Sequence, residues 1–383
     1  MVYDVALVRC DTYEEAECRR AMEEVLAPVG GLDWVNPGMT VAIKVNLVAA
    51  MRPEAAATTH PALLRALIDL LRARGATVIL GDSPGGLFTA AHLNRVYDTT
   101  GLRALAGEGV TLNVDTSQKE ASFPEAVQAK QFTYTAWLDQ ADAVIDFCKL
   151  KSHGQMGMTN AAKNFFGTIP GTMKPEYHFK FPKVEDFANM LVDLSEYFKP
   201  RLCICDAVLC MEGNGPTQGS PRKLGVLAAS RSCHALDLVC ASLIGFSMQT
   251  VPTLKAAFDR GLIPESWEQL SVFGDPKAFA VPDFKSTPAQ SNVYFNKHGD
   301  GLIGKVVHAV EYRAMAPFPK VDQADCIGCA KCAGICPANA ITMKNKLPVI
   351  DRSACIHCFC CQEFCPKGAM KVARPLLARM LNR

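Results

Sequence analysis

Two runs of cysteine near the C-terminus have the spacing of iron–sulfur ligands. Each has the pattern Cys-x2-Cys-x2-Cys-x3-Cys followed by proline. In such runs three closely spaced thiolates bind one 4Fe-4S cluster, and the fourth cysteine binds the other cluster. A zinc ribbon is the alternative, although zinc sites rarely use this spacing twice with a proline after each run. The predicted ligands are Cys326, Cys329, Cys332 and Cys365 for the first cluster and Cys355, Cys358, Cys361 and Cys336 for the second.

The sequence around these runs resembles the bacterial-type ferredoxins with two four-iron clusters. The resemblance covers residues 317–375 and includes Cys336-Pro-Ala-Asn-Ala-Ile341. It implies a small ferredoxin-like domain that carries single electrons. Cys360 is an extra thiol beside Cys361, and the spacing places it outside the ligand set. His357 either adjusts a cluster potential by hydrogen bonding or faces the solvent.

The composition is that of an ordinary globular protein with room for a large core. Of 383 residues, 49% are hydrophobic and 20% are charged. The chain has 17 cysteines, and those outside the two runs have no disulfide spacing, so we expect a reducing, cytoplasmic compartment. The N-terminal sequence lacks the features of a signal peptide, and no apolar stretch is long enough to span a membrane.

The charge distribution argues against nucleic-acid binding. The formal net charge is +2. Residues 317–383 carry ten Lys or Arg against four Asp or Glu, a difference of +6 that offsets the negative charge of thiolate-bound clusters. No basic field with interleaved aromatic residues is present, so we expect no nucleic-acid partner.

Residues 1–315 predict an α/β domain in which apolar strands alternate with helices. Such strands indicate a mostly parallel sheet with helices on both faces. We predict domain boundaries at 1–315, 316–375 for the ferredoxin domain, and 376–383 for a short basic tail. The predicted strands are Asp4–Val8, Thr40–Val48, Ala76–Gly81, Val110–Val114, Ala143–Phe147, Leu202–Asp206, Gly225–Ala229 and Leu270–Phe273, and the predicted helices include Tyr13–Leu26, Pro61–Arg74, Val184–Phe198 and Ala235–Ile244.

Polar residues follow several of these strands. Open α/β sheets bind ligands beyond the carboxyl ends of their strands, so we expect these residues to share a crevice. Asp82 could instead cap a helix, and the glycine-rich loop after Asp206 lacks the phosphate-binding patterns. The residues at these strand ends are Asn46, Asp82, Lys149, Lys151, His153, Asp206, Glu212 and Asn214.

The same segments resemble the family known as domain of unknown function 362. The resemblance implies an α/β architecture and a site but no particular reaction. His60 lies in one matching stretch and either has a functional role or caps the following helix. The matching stretches are Ile43–Asn46, Thr58–Pro61, Gly81–Gly85, Lys151–His153, Asn160–Gly167 and Glu212–Thr217.

Residues 149–178 concentrate cations and hydrogen-bond donors that suit an anionic ligand. We assign Lys151, His153 and Lys163 catalytic roles: a lysine holds the anion and an imidazole delivers a proton. On a helix starting near Thr159, Asn160, Lys163 and Asn164 would share one face. A solvated basic surface is the alternative. The proline-rich stretch 168–182 predicts a long loop.

These features together predict an iron–sulfur oxidoreductase. Two 4Fe-4S clusters would relay electrons from a soluble carrier, a ferredoxin or flavodoxin, to a small anionic substrate in the α/β domain. Two alternatives stay open: an electron-transfer protein that serves a partner enzyme, or a ligand- or metal-binding module with structural or sensory clusters. Cys203, Cys205 and Cys210 either bind a further metal or pack as small apolar residues.

The ligand count makes a prediction about cofactor content. Protein reconstituted under anaerobic conditions should bind about eight irons and eight sulfides. Iron and acid-labile sulfide analysis measures both. Stoichiometric zinc with little iron would contradict the prediction.

Overall fold

A single large sheet runs through the N-terminal part of the chain. The computed structural model describes residues 2–287, 317–373 and 375. Within them, nine strands form a sheet in the order β11-β1-β10-β9-β7-β2-β3-β4, with β8 beside β7. Its strands are β1 (Val5–Arg9), β2 (Thr40–Val45), β3 (Thr77–Gly81), β4 (Val110–Leu112), β7 (Ala143–His153), β8 (Gly157–Thr159), β9 (Leu202–Glu212), β10 (Ser220–Ser230) and β11 (Val272–Phe273). A separate antiparallel ribbon joins β5 (Gln118–Ser122) to β6 (Gln131–Thr135).

The centre of the sheet is parallel, as the apolar strands predict. Strands β4, β3, β2, β7 and β9 pair in parallel, so their carboxyl ends lie at one edge. Strand β10 then pairs with β9 and β1 in antiparallel fashion. Five parallel pairings against three antiparallel ones make the sheet mixed but mostly parallel.

Helices cover both faces of the sheet. Apolar residues of α1, α2 and α3 pack in one core cluster, and those of α4 to α8 pack in a second cluster on the opposite face. Helix α2 begins at Pro61, and the His60 Nδ1 accepts a hydrogen bond from Ala62 N at 3.2 Å. The helices are α1 (Glu15–Leu26), α2 (Pro61–Ala73), α3 (Ala90–Thr100), α4 (Ala161–Asn164), α5 (Lys174–Lys180), α6 (Val184–Phe198), α7 (Cys233–Leu243) and α8 (Pro252–Asp259).

Strands β7 and β9 are longer than their apolar runs predict. The ends of both strands have antiparallel partners: β8 pairs with Lys151–His153, and β10 pairs with the end of β9. These partners satisfy the backbone N–H and C=O groups of the extended ends. The segment from Lys149 to His153 therefore lies within a strand, where we expected it to follow one.

Two local predictions are wrong around residues 159–182. Helix α4 has only four residues, and Asn160 precedes it with φ −154° and ψ −141°, so Asn160 does not share a helical face with Lys163 and Asn164. The stretch predicted as a long loop contains α5, which spans Lys174–Lys180.

The C-terminal part of the chain forms a small ferredoxin-like domain. Strand β12 (Phe318–Val321) pairs with β15 (Met370–Ala373), and β13 (Ile341–Lys344) pairs with β14 (Leu347–Ile350). Two short helices, α9 (Lys331–Gly334) and α10 (Cys360–Glu363), each begin within a cysteine run. The predicted boundary at 315/316 and the tail at 376–383 lie outside the described residues. No helix in the described ranges is long and apolar enough to cross a membrane.

Candidate functional site

A cavity of about 560 Å³ lies between the carboxyl edge of the sheet and the second cysteine run. Its wall from the α/β domain includes Asn46 after β2, Asp82 after β3, and the end of β7. Its opposite wall comes from the ferredoxin domain. The residues that line it include Asn46, Asp82, Ser83, His92, Arg95, Lys151, His153, Lys163, Asn164, Lys174, His178, Lys331, Cys360, Glu363 and Cys365.

A buried polar network holds the floor of this cavity. Lys44 in β2 lies 2.8 Å from the Asp82 Oδ1, and both side chains are almost fully buried. The Lys44 Nζ also donates to Asn164 Oδ1 at 3.2 Å, and Asn164 Nδ2 donates to Asp146 Oδ1 at 2.6 Å. Asn46 Nδ2 donates to the same Asn164 oxygen at 2.9 Å. The network ties β2, β7 and the residue after β3 to α4.

Two lysines of the cavity, the buried Lys151 and the half-buried Lys174, have pKa values shifted toward neutrality. Burial, then the charge of Lys163, lowers the pKa of Lys151 to about 7. Burial lowers the pKa of Lys174 to about 7 as well, against the opposing attraction of Asp82. The Lys151 Nζ donates to Asn46 Oδ1 at 2.9 Å, and the Lys174 Nζ donates to Ser83 O at 2.6 Å. Each amine is therefore positioned by an acceptor and exchanges its proton near physiological pH.

His153 is held as a neutral imidazole with a defined tautomer. Its Nδ1 accepts backbone hydrogen bonds from Gln155 N and Met156 N, both at 3.1 Å. The ring proton therefore lies on Nε2, which is 2.9 Å from the Glu363 Oε1. Burial, then the charge of Lys163, lowers the pKa of His153 to about 4.

Glu363 brings an acidic side chain from the ferredoxin domain into this cationic wall. Burial alone would raise its pKa, but His153, Lys163 and His178 outweigh that effect and hold the pKa at about 2. The Nδ1 of His178 is buried without a hydrogen-bond partner among the described residues. Burial lowers the pKa of His178 to about 3.

The two domains are joined by specific contacts beside the cavity. The Thr217 Oγ1 donates to Glu363 O at 3.1 Å, and the Gln362 Nε2 donates to Asn214 O at 3.1 Å. A Cβ built on Gly85 would lie 2.5 Å from the ring of Phe364, so that ring packs directly on the glycine backbone. The cluster loop is therefore seated closely on the α/β domain.

The structure brings some of the predicted site residues together and separates others. Those lining the cavity are Asn46, Asp82, Lys151, His153, Lys163 and Asn164. Those outside its lining are His60, Asn160, Asp206, Glu212 and Asn214.

The separated residues have structural partners. Asp206 binds Lys149 Nζ at 2.8 Å and Tyr13 OH at 2.9 Å, and His60 stacks on the Tyr13 ring at 3.5 Å. Asn160 Oδ1 accepts from Cys148 Sγ at 2.9 Å. Glu212 accepts a hydrogen bond from Lys285 N at 3.0 Å.

The cysteines of the two runs gather in two groups. One small cavity is lined by Cys326, Cys329, Cys332 and Cys365, and another by Cys336, Cys355, Cys358, Cys360 and Cys361. The fourth cysteine of each run thus lies with the other run, as the spacing rule requires. Backbone N–H groups of Ala340 and Ala369 donate to the sulfurs of Cys336 and Cys365, both at 3.2 Å.

The chemistry of these thiols suits metal clusters. Burial raises the pKa of Cys332, Cys355 and Cys361, so these thiols would stay protonated at neutral pH on their own. A bound metal ion deprotonates its coordinating thiols. Four converging sulfurs in each group therefore fit a 4Fe-4S cluster.

Comparisons with known proteins agree with this architecture. A model of the domain of unknown function 362 matches residues 41–242, and a model of the 4Fe-4S dicluster domain matches residues 318–366. The thylakoid-associated protein sll1697 of Synechocystis sp. (strain ATCC 27184 / PCC 6803 / Kazusa) is 33% identical over 288 residues, 74% of this chain and 88% of that protein. The chain belongs to the domain of unknown function 362 family. Its C-terminal part is a 4Fe-4S-binding domain, so both resemblances are confirmed.

One solved structure is weakly similar to this protein. The lactate racemase apoprotein from Thermoanaerobacterium thermosaccharolyticum has a TM-score of 0.40 and 12% identity, and the match covers 63% of this chain and 57% of that chain. A likeness of this size does not bear on function.

From the sequence, we did not assign Glu363 to the site. It also left Lys174 and His178 without a role, although both lie in the cation-rich segment. Glu363 is an acid inside a cysteine run, in a domain otherwise rich in cations. This contrast in charge was the signal that the sequence offered. The partner of Glu363, His153, is seen only where the two domains are in contact.

Cys203 has a different neighbour from the ones we considered. Its sulfur lies 3.2 Å from that of Cys233 in α7, and Asp146 is close to both. Burial raises the pKa of Cys203 and that of Cys210. The side chains of Cys203, Cys205 and Cys210 all lie in the core, consistent with packing as small apolar groups.

The close packing around Gly167 predicts that the floor of the cavity does not tolerate a side chain at this residue. A Cβ there would overlap the Asp82 carboxylate and lie 2.5 Å from the Lys44 Nζ. Gly167→Ala should therefore destabilise the fold by about 2–4 kcal/mol, because it separates a buried ion pair. Chemical denaturation measures the loss. Gly107→Ala is the control, since nothing lies near a Cβ at that exposed position; equal stability of both variants would contradict the prediction.

The cysteine groups predict which thiols hold iron. Cys361→Ala should lose about four irons, and so should Cys336→Ala, because each removes one of four ligands of one cluster. Cys360→Ala should retain all the iron, although its side chain lines both the second cysteine group and the large cavity. Iron analysis of the three variants decides the register. Iron loss in Cys360→Ala with none in Cys361→Ala would reverse the assignment.

Proposed function

We propose that this protein relays single electrons through two 4Fe-4S clusters to a small anionic substrate in the cavity. One observation carries the proposal: a single cavity is lined both by the buried cations of the α/β domain and by Cys360, Glu363 and Cys365 of the cluster loops. A ligand there would contact the anion-binding side chains and the protein around a cluster at the same time. Bound clusters would supply electrons one at a time.

The side chains that line the cavity would have different roles in binding the anion and delivering a proton. Lys163 and Lys174 would hold the anion as point charges. Lys151 is the better proton donor, because a general acid works best with a pKa near the working pH and burial lowers that of Lys151 to about 7. His153 is neutral, and its Nδ1 is engaged by the backbone, so it would orient the ligand through its Nε2 proton. This changes the proton-delivery role that the sequence assigned to His153.

An electron carrier would dock at the first cysteine run. Ile327 is 60% exposed and Cys329 is exposed, on a loop that lies outside the lining of the large cavity. An exposed apolar residue beside a redox centre suits a weak, short-lived protein contact. The proposed partner is a soluble ferredoxin or flavodoxin.

The same exposed surface also favours a second candidate function. An electron-transfer protein that serves a partner enzyme would use Ile327 and Val349, which is 44% exposed, and would convert nothing itself. A third possibility is a ligand- or metal-binding module with structural or sensory clusters. Among the described residues, the buried group of Asp146, Cys203 and Cys233 is the feature that favours it. Turnover of a small anion with a low-potential reductant separates the first function from the other two.

The place where the protein works stays a prediction. The related Synechocystis protein is described as thylakoid-associated. Membrane-surface attachment is therefore a competing proposal to the cytoplasmic location that the sequence predicts. Fractionation of cells into membrane and supernatant distinguishes them.

The central prediction concerns Lys151. Lys151→Met should weaken binding of a probe anion such as malonate by about 10- to 100-fold, because a buried cation facing the ligand is lost. Both clusters and the thermal midpoint should be retained. Isothermal titration of the reconstituted protein measures the affinity, and the control is Lys255→Met, an exposed residue paired with Asp259. Unchanged binding with a large loss of stability would make the position structural. His153→Ala should also weaken binding.

The pH dependence of this binding follows from the same lysines. Their pKa values of about 7 mean that both lose their protons as pH rises above 7. Malonate affinity in the unmodified protein should therefore fall as pH rises from 7 to 9, by up to about tenfold per pH unit for each lysine that titrates. Lys151→Met should show a shallower fall. Affinity that rises with pH would contradict the assignment.

A further inference from the structure

The acidic side chain of Glu363 lies in the cavity beside the end of β7. Its Oε1 lies 2.9 Å from the His153 Nε2, and the charge of Lys163 acts on it. This wall of the cavity therefore already accommodates a carboxylate, that of Glu363. The question is whether the side chain stays there when a ligand enters.

The backbone of Glu363 is fixed, while its side chain has few attachments. Its carbonyl accepts from the Thr217 Oγ1 at 3.1 Å, and the neighbouring Gln362 donates to Asn214 O at 3.1 Å. Among the described residues, His153 is the partner within ion-pair distance of its carboxylate. The side chain is 15% exposed, compared with 1% for that of His153. Rotation toward the open cavity would thus break the contact with His153 and leave α10 in place.

The groups left behind would need a new anion. Lys163 lines the cavity, and within the described part of the chain its Nζ makes no ion pair or hydrogen bond; it lies 5.3 Å from the Phe166 ring centroid. The buried His178 Nδ1 has no partner there either. Withdrawal of Glu363 would leave the charge of Lys163 and the polar atoms of His153 and His178 without a nearby carboxylate, which is costly away from solvent. An incoming carboxylate restores both the charge and the polar contact with His153.

We propose that the ligand of this cavity is an organic acid whose carboxylate takes the position of the Glu363 side chain. Glu363 is then an internal competitor that occupies the site until the ligand arrives. The inference rests on the proposed anion site and names its ligand class. Because Glu363 lies between Cys361 and Cys365, ligand entry also changes the surroundings of the cluster loop.

Binding to a Glu363→Gln variant tests the proposal with malonate and inorganic phosphate as probes. Removal of the competing charge should tighten malonate binding about tenfold or more at pH 7, the opposite sign to Lys151→Met. Phosphate should gain less than malonate. The matched control is Glu196→Gln, because Glu196 also pairs with a histidine, His234, at 3.0 Å but lies outside the cavity lining. Titration calorimetry of the reconstituted protein, with iron analysis of each variant, gives the result.

The outcomes separate this inference from the proposed function. If unmodified protein binds malonate but Glu363→Gln binds it equally or more weakly, the displacement is wrong and the anion site stands. If phosphate gains more than malonate, the carboxylate assignment is wrong. If neither probe binds either protein, both proposals fail. Should Glu363→Gln lose iron, Glu363→Asp applies the same criteria, because it keeps the charge but withdraws it from His153; malonate should again bind more tightly.

Discussion

The buried pair of Lys44 and Asp82 is the interaction on which the site depends. Both side chains are almost fully buried, and breaking such a pair by removing one partner costs about 3–5 kcal/mol. The pair also sets geometry. Asp82 accepts from Leu47 N at 2.7 Å, so it joins the segments after β2 and β3, and Lys44 reaches Asn164 in α4. The charges of Lys44 and Asp82 neutralise each other at the floor of the cavity, and the other cations of the cavity are placed next to this pair.

The remaining charge explains why the two domains need each other. Lys151, Lys163 and Lys174 lie in one cavity, and burial lowers the pKa of each. Glu363 supplies an opposing charge from the ferredoxin domain, and its pKa is held at about 2 by the histidines and Lys163 despite burial. Docking of the cluster loop therefore reduces the electrostatic cost of the cation cluster. A site built this way is complete only when the iron–sulfur domain is seated.

The sequence predicted the α/β core well because its elements bury continuous apolar faces. Helix α6 has the predicted bounds, Val184–Phe198, and strands β2, β3 and β4 end close to their predicted positions. Strands β7 and β9 were predicted too short, since antiparallel partners extend both of them beyond the apolar runs used for the prediction. Asn160 was placed on the wrong face because α4 starts after it. Glu363 was missed because its partners lie in another domain, and contacts between domains leave no local pattern.

The position and lining of the cavity favour some kinds of function over others. A structural or sensory cluster does not require buried lysines whose pKa lies near 7, and a pure electron carrier does not require a cavity of about 560 Å³ beside its cluster loop. A protein that joins proton transfer to electron transfer requires both, because adding an electron to an organic anion builds charge that a nearby proton must neutralise. In the proposed function, the first cysteine run, with the exposed Ile327 and Cys329, would face a partner protein, and the second run would face the bound anion.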